Sequence, residues 1–280
     1  AILDLFENEN QLGFSTIQDY AEKHQVCPHE FQLDMSDYSD FVLCDYNYVF
    51  DPRVYLRRAF DNAQSDLLFL VDEAHNLVDR GREMYSAEIS SRALERLIEI
   101  FDARVEELAS GSVGDVKSKI RSYRAAIKKA KKAMDLIESF YNELGSHKEI
   151  ATPDHPDDLY FELKGLLTSL DFFLAKERQD PDYEEVQNLA FVYSTFTKID
   201  ETWKDGFLNL IRVDDEDHIL WKIKCVDTSD LFEDILKRAR STIFFSATLL
   251  PTNIDVELLG GAVIALQMHI DSPSAEEHPP

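Results

Sequence analysis

Apolar positions follow two different periods along this chain, and the switch between them marks its organisation. Val116, Ile120, Tyr123, Ile127, Ala130, Met134, Ile137, Tyr141 and Leu144 are spaced alternately four and three residues apart. That is a heptad seam. It predicts one long helix, on the order of 40 Å at ~1.5 Å per residue. A helix with a single apolar seam needs partners, and the flanking sequence offers them. Leu94, Leu97, Ile98, Phe101, Val105 and Leu108 predict a helix before it, separated by a Gly/Ser break at 110–114. After the turn at Pro153 to Pro156, Leu159, Leu163, Leu166, Leu170, Phe173 and Leu174 predict another. Val186, Leu189, Ala190, Tyr193 and Phe196 predict a third after Pro181.

Outside this antiparallel helical block the period shortens. Phe207 to Val213 and Ile219 to Cys225 alternate apolar and polar residues around the acidic turn Asp214-Asp215-Glu216-Asp217, which predicts a β-hairpin. Two short runs are largely apolar without alternation. Leu67 to Val71 precedes Asp72-Glu73-Ala74-His75, and Thr242 to Phe245 precedes Ser246-Ala247-Thr248. Such runs suit strands buried on both faces of a parallel sheet. Phe41 to Cys44 predicts a further strand, and Pro52 the start of a helix toward Phe60. Short helical patterns, including Ile17 to Ala21, fill the first 34 residues.

The chemistry sits at the ends of the two apolar runs. Side chains there emerge at the carboxyl edge of a parallel sheet, where α/β proteins bind ligands. Adjacent carboxylates suit nucleotide hydrolysis, the first holding Mg²⁺ beside phosphates and the second activating water. Asp-Glu-Ala-His followed by Ser-Ala-Thr, each closing a strand, resembles the ATPase core of superfamily 2 helicases. Cys27-Pro28-His29-Glu30-Phe31 and Cys44-Asp45-Tyr46-Asn47-Tyr48-Val49-Phe50-Asp51-Pro52, with the long helical insertion, narrow the resemblance. Over roughly residues 20 to 260 the chain is similar to the XPD/DinG (Rad3-like) family of iron–sulfur DNA helicases.

That resemblance implies a layout and a set of roles. Residues 1–34 would be the tail of an iron–sulfur region. Residues 35–86 and 226–260 would be two parts of one RecA-like α/β motor domain, interrupted at 87–225 by a mainly helical Arch insertion closed by the hairpin. Residues 261–280 would begin another domain or form a tail. Asp72 would ligate Mg²⁺, Glu73 would activate the hydrolytic water, and His75 would link nucleotide state to the neighbouring motif. Ser246, Ala247 and Thr248 would couple hydrolysis to DNA movement, and Cys27 matches one cluster ligand. Tyr46, Asn47 and Tyr48 are candidates for contacting single-stranded DNA, with ordinary strand packing as the alternative. Lys128, Lys129, Lys131 and Lys132 are candidates for the DNA backbone, the alternative being a solvated face or one balanced by acidic neighbours.

Some of the family pattern is missing. No Gly-Lys dipeptide occurs, so the phosphate-cradling loop is not here. Iron–sulfur clusters usually need four thiolates. This chain has three cysteines, and Cys44 and Cys225 lie in apolar stretches expected to be buried. The resemblance puts the missing parts before Ala1 and downstream of Ser246-Ala247-Thr248. The expectation is therefore an internal piece of a 5′-to-3′ ATP-dependent helicase, with ATP, Mg²⁺ and single-stranded DNA as ligands of the whole, no cluster here, and no hydrolysis by the piece alone. A binding module that clamps DNA or docks proteins through the Arch, and a degenerate member using nucleotide as a switch, are the competing readings.

Composition adds limits. The net charge of −25 means that most of the surface is no DNA track, since phosphate binding needs clustered Lys and Arg. The stretch 117–132 is one such cluster, with basic residues and no acidic ones. Cysteines without pairing spacing, no signal peptide and no apolar run of transmembrane length point to a cytoplasmic protein away from membranes, and a monomer is the expected state.

Overall fold

A computed structural model describes residues 1–62, 66–110, 116–145, 147–155 and 157–246. The Gly/Ser break at 111–114, Ala247, Thr248 and the tail from 249 to 280 lie outside the described residues. In chain order the elements are α1 (Ile2–Asn8), α2 (Phe14–His24), α3 (Pro28–Ser36), α4 (Asn47–Phe50), α5 (Arg57–Asn62), β1 (Leu68–Val71), α6 (Leu77–Met84) and β2 (Ala87–Ser90). There follow α7 (Ser91–Ser110), α8 (Val116–Glu143), β3 (Glu149–Thr152), α9 (Asp157–Lys176), α10 (Tyr183–Asp200), β4 (Phe207–Val213), β5 (Ile219–Cys225), α11 (Ser229–Leu236) and β6 (Ser241–Phe244). The architecture is mixed α/β, with a parallel pair β1–β6 and a four-stranded antiparallel sheet ordered β2–β5–β4–β3.

The heptad seam forms α8, 28 residues long. Its buried stripe is wider than the seam, because Ala126 and Ala133 are buried beside Tyr123, Ile127, Ala130 and Ile137. The reason is packing on several sides: α8 lies between α7 and α9 and also meets β5. Phe101 of α7 stacks on Tyr123 of α8 at 5.1 Å, and Phe173 of α9 closes the cluster at 5.4 Å from Phe101. On the sheet side, Phe140 stacks on Trp221 at 4.8 Å. Burying Trp221 requires a partner for its ring N–H. Asn209 of the neighbouring strand accepts that proton at 2.7 Å, and its own amide donates to the Asp154 carbonyl.

The predicted hairpin is present as β4–β5, with Phe207 opposite Cys225 and Val213 opposite Ile219. It is the centre of a larger sheet. The short strands β2 and β3, which the hydrophobic pattern does not announce, pair with its two edges. Four residues are too few to show an alternation above background, and their partners are distant in sequence.

Three other expectations are corrected. Phe41 to Cys44 is not a strand, and Phe41, Val42, Leu43 and Cys44 are all exposed. No described strand lies beside it to take up its backbone hydrogen bonds, so its apolar character does not translate into sheet. The helix expected from Pro52 starts only at Arg57. The buried Asp51 carboxylate binds both the backbone N–H and the guanidinium of Arg53, and the Leu56 N–H returns to the Tyr48 carbonyl at 2.9 Å, closing a turn instead. Finally, β1 is buried on one face only. Leu68 and Leu70 are 64% and 57% exposed, while Phe69 and Val71 face the core. In the parallel register Leu70 sits beside Ile243 of β6, itself exposed, so one side of this strand pair has no cover among the described residues.

One continuous core runs from Phe50 and Val71 through the helices to Phe232 and Ile235. Residues 1–36 make a separate small cluster of Leu5, Ile17, Ala21, Phe31 and Met35. Arg58 reaches across to Asp34 and Glu30 from the main body. Among the described residues no helix is long and apolar enough to cross a membrane.

Candidate functional site

Parallel pairing of β1 with β6 brings two sequence motifs, about 170 residues apart, to the same edge. The ladder continues past both strand ends. The Phe245 N–H donates to the Val71 carbonyl at 3.0 Å, and the Ala74 N–H donates back to Phe245 at 3.1 Å. These bonds draw Ser246 against the turn formed by Asp72 and Glu73. Glu73 is in the left-handed region, with φ 49° and ψ 39°, and is followed by a single 3₁₀ turn at Ala74–Asn76. A non-glycine residue pays a steric cost there and stays only where its surroundings hold it. Asp72 Oδ1 accepts the Glu73 N–H at 2.7 Å, and the Tyr46 hydroxyl meets the Asp72 and Glu73 carbonyls.

Three side chains converge at this turn. His75 Nδ1 is 2.6 Å from Ser246 Oγ and 3.1 Å from Glu73 Oε2. Ser246 Oγ donates to Glu73 Oε2 at 3.3 Å. The set is satisfied when Nδ1 carries the imidazole proton: Nδ1–H donates to the serine, and the serine proton goes to the carboxylate. Glu73 remains about half exposed and His75 about a third, so both are open to a ligand at this edge. Asp72 is exposed and uses one carboxylate oxygen on the backbone. A single exposed carboxylate fits Mg²⁺, which commonly takes one or two carboxylates and completes its shell with water and substrate phosphates.

The remaining candidates are distributed as follows. Tyr46 is committed through its hydroxyl to the Asp72-Glu73 turn, a role that sequence spacing does not reveal. Burial, and then the Asp72 and Glu73 carboxylates, push its phenol pKa up, so it stays a donor. Asn47 is exposed and Tyr48 half-buried on the same short helix. On α8, Lys129 and Lys132 both bind the buried Glu162 of α9, with Lys129 Nζ at 2.9 Å. Lys131 stands 3.8 Å from Asp102. Lys128 and Lys131, with Arg124, line a groove of about 670 Å³ between α7 and α8, whose other wall carries Asp102 and Glu106.

Cys27 is exposed immediately before α3, where Pro28 takes the first helical position. Cys44 is also exposed, against expectation, and Cys225 is buried in β5 as expected. The thiols present do not fit an iron–sulfur cluster, because there are three and one is enclosed in a sheet. No group of three or more metal-ligating side chains occurs among the described residues.

With an Asp-Glu turn set beside a serine at the edge of a parallel strand pair, comparison with known proteins shows what the chain resembles. Residues 5–94 match the DEAD_2 family. The chain is 23% identical to the ATP-dependent DNA helicase CHL1 of Debaryomyces hansenii, over 89% of this chain and 32% of that protein. It is 19% identical to the XPD/RAD3 helicase subunit of general transcription and DNA repair factor IIH of Saccharomyces cerevisiae, over 88% and 38%. A shorter stretch, 30% of this chain and 8% of the relative, is 33% identical to the regulator of telomere elongation helicase 1 homolog of Caenorhabditis briggsae. The chain is XPD/Rad3-like, a relative of the superfamily 2 DNA helicases. It spans about a third of the length of the relatives that match nearly all of it.

Proposed function

We propose that this chain forms part of the first motor domain, together with the Arch insertion, of an ATP-dependent DNA helicase moving 5′ to 3′ on single-stranded DNA. The observation that carries the reading is the Glu73–His75–Ser246 triangle, in which two motifs far apart in sequence share hydrogen bonds. The XPD/Rad3-like relatives support it by what their names state.

Bound Mg²⁺–ATP supplies the phosphoryl group to be transferred. Asp72 would hold the cation through the carboxylate oxygen not engaged with the backbone. Glu73 would orient the attacking water and take its proton at Oε1, with Oε2 held by Ser246. Any shift of Ser246 as β6 moves alters the carboxylate directly, and any change at Glu73 is felt by β6 through the same bonds. His75 sits between them and would keep the two in step. Ala247 and Thr248 belong to the same coupling segment in this reading. A cluster bound through Cys27 would draw its other ligands from elsewhere in the protein. Three unpaired cysteines agree with a reducing intracellular setting, and a monomer is the working state.

In the full-length protein, Glu73→Gln is expected to reduce ATP hydrolysis by roughly 10²–10⁴-fold while nucleotide still binds. Ser246→Ala is expected to leave hydrolysis measurable and uncouple it from strand separation. Normal hydrolysis in Glu73→Gln would remove this function. The basic groove of α8 is proposed as a DNA-backbone contact through Lys128 and Lys131, with Lys129 and Lys132 contributing charge from behind their Glu162 pairing. Reversing all four charges should weaken single-stranded DNA binding and flatten its salt dependence. An unchanged salt slope would refute that contact.

A further inference from the structure

The Tyr46 hydroxyl faces two carbonyls that flank a single residue. It stands 3.0 Å from the Glu73 carbonyl and also bonds the carbonyl of Asp72. A phenol has one proton, which is shared between the two acceptors. The peptide planes carrying those carbonyls lie on either side of the Glu73 α-carbon. Fixing both planes fixes φ and ψ of Glu73 together, and those are the left-handed values. The direction of the Glu73 side chain follows from them.

The hydroxyl is mounted on a rigid base. Tyr46 leads into α4, whose Phe50 is 1% exposed and meets Phe232 edge-on at 5.1 Å. Asp51 directly after it is 2% exposed and held by Arg53. A ring anchored in this way acts as a strut between the core and the turn. We propose that Tyr46 is a positioning residue for Glu73: its hydroxyl holds the left-handed turn that delivers the Glu73 carboxylate to Ser246 and His75. This rests on Glu73 being the residue that activates water.

The test uses the full-length protein with Tyr46→Phe, Glu73→Gln and the double substitution. For each, kcat and KM for ATP, single-stranded DNA affinity and the folded fraction are measured. Tyr46→Phe keeps the ring and removes only the hydroxyl. The expected result is a kcat lowered roughly ten- to a hundredfold at unchanged KM, unchanged DNA affinity and unchanged folded fraction. The double substitution should lose no more than Glu73→Gln alone, since both act through one carboxylate. Wild-type kcat in Tyr46→Phe beside an inactive Glu73→Gln would overturn the positioning role and leave the helicase reading standing. A loss of DNA affinity without a change in kcat would overturn it too, and would return Tyr46 to direct contact with nucleic acid. A fall in kcat matched by a fall in folded fraction would make the hydroxyl merely structural. Normal hydrolysis in Glu73→Gln would bring down both proposals.

Discussion

The helical block and the β1–β6 pair both carry predicted apolar positions, yet these are buried very differently. On α8 and α9 the predicted apolar positions Tyr123, Ile127, Ala130, Ile137, Leu163, Leu166 and Leu170 are all buried. On β1 the run Leu68-Phe69-Leu70-Val71 buries only Val71 fully. The helices cover one another and are covered again by the antiparallel sheet, so the stripes of α8 and α9 find partners within 87–225. The strand pair has the core on one side and, among the described residues, no cover on the other. Periodicity therefore reports which residues gain from burial, while burial itself depends on how many faces are offered a neighbour.

That contrast is sharpest in the cost of cutting side chains. Phe101→Ala removes a ring packed on both Tyr123 and Phe173 and should cost about 3–5 kcal/mol in urea unfolding. A cost below about 1 kcal/mol would mean that the α7–α8–α9 contact is looser than described. Gly81→Ala probes the packing of α6 on α11, outside the helical block. A Cβ there would lie 2.2 Å from the Phe232 ring, so α6 and α11 must move apart, at about 1–3 kcal/mol. Unchanged stability would show that Phe232 can swing aside.

A smaller, pH-dependent effect separates the regions electrostatically. The hydrogen bond from Lys132, against the opposing pull of burial and aided by Lys129, holds the Glu162 carboxyl below its ordinary range. A depressed carboxylate contributes stability that is present above the unfolded-state pKa, about 4.3, and is lost as pH falls through the lower folded value. Glu162→Gln should reduce stability at neutral pH by about 1 kcal/mol and flatten the acid limb of the unfolding curve. An unaltered acid limb would show that the lysines find other partners. The smallest effect belongs to the open strand face. Leu70→Ala in residues 1–280 should change stability by no more than about 0.5 kcal/mol. A cost near that of Phe101→Ala would break the comparison, since it would mean that this face is covered after all.

Much of this protein was legible from its chain alone, and the legible parts share a cause. The seam of α8, its helical partners, the β4–β5 hairpin and the apolar runs of β1 and β6 are local periodicities, and secondary structure follows local periodicity closely. The placement of Asp72, Glu73 and Ser246 at one edge was legible because each motif closes a largely apolar run. Tertiary structure alone decided the rest. It left Phe41 to Cys44 without a strand partner, recruited β2 and β3 to sheet edges that lie far away in sequence, and gave Lys129 and Lys132 a buried counter-ion on α9. It also set the Tyr46 hydroxyl against the carbonyls of the turn that carries Glu73. Each of these depends on which surfaces meet. That is set by chain segments separated by tens to hundreds of residues, over which no sequence period extends.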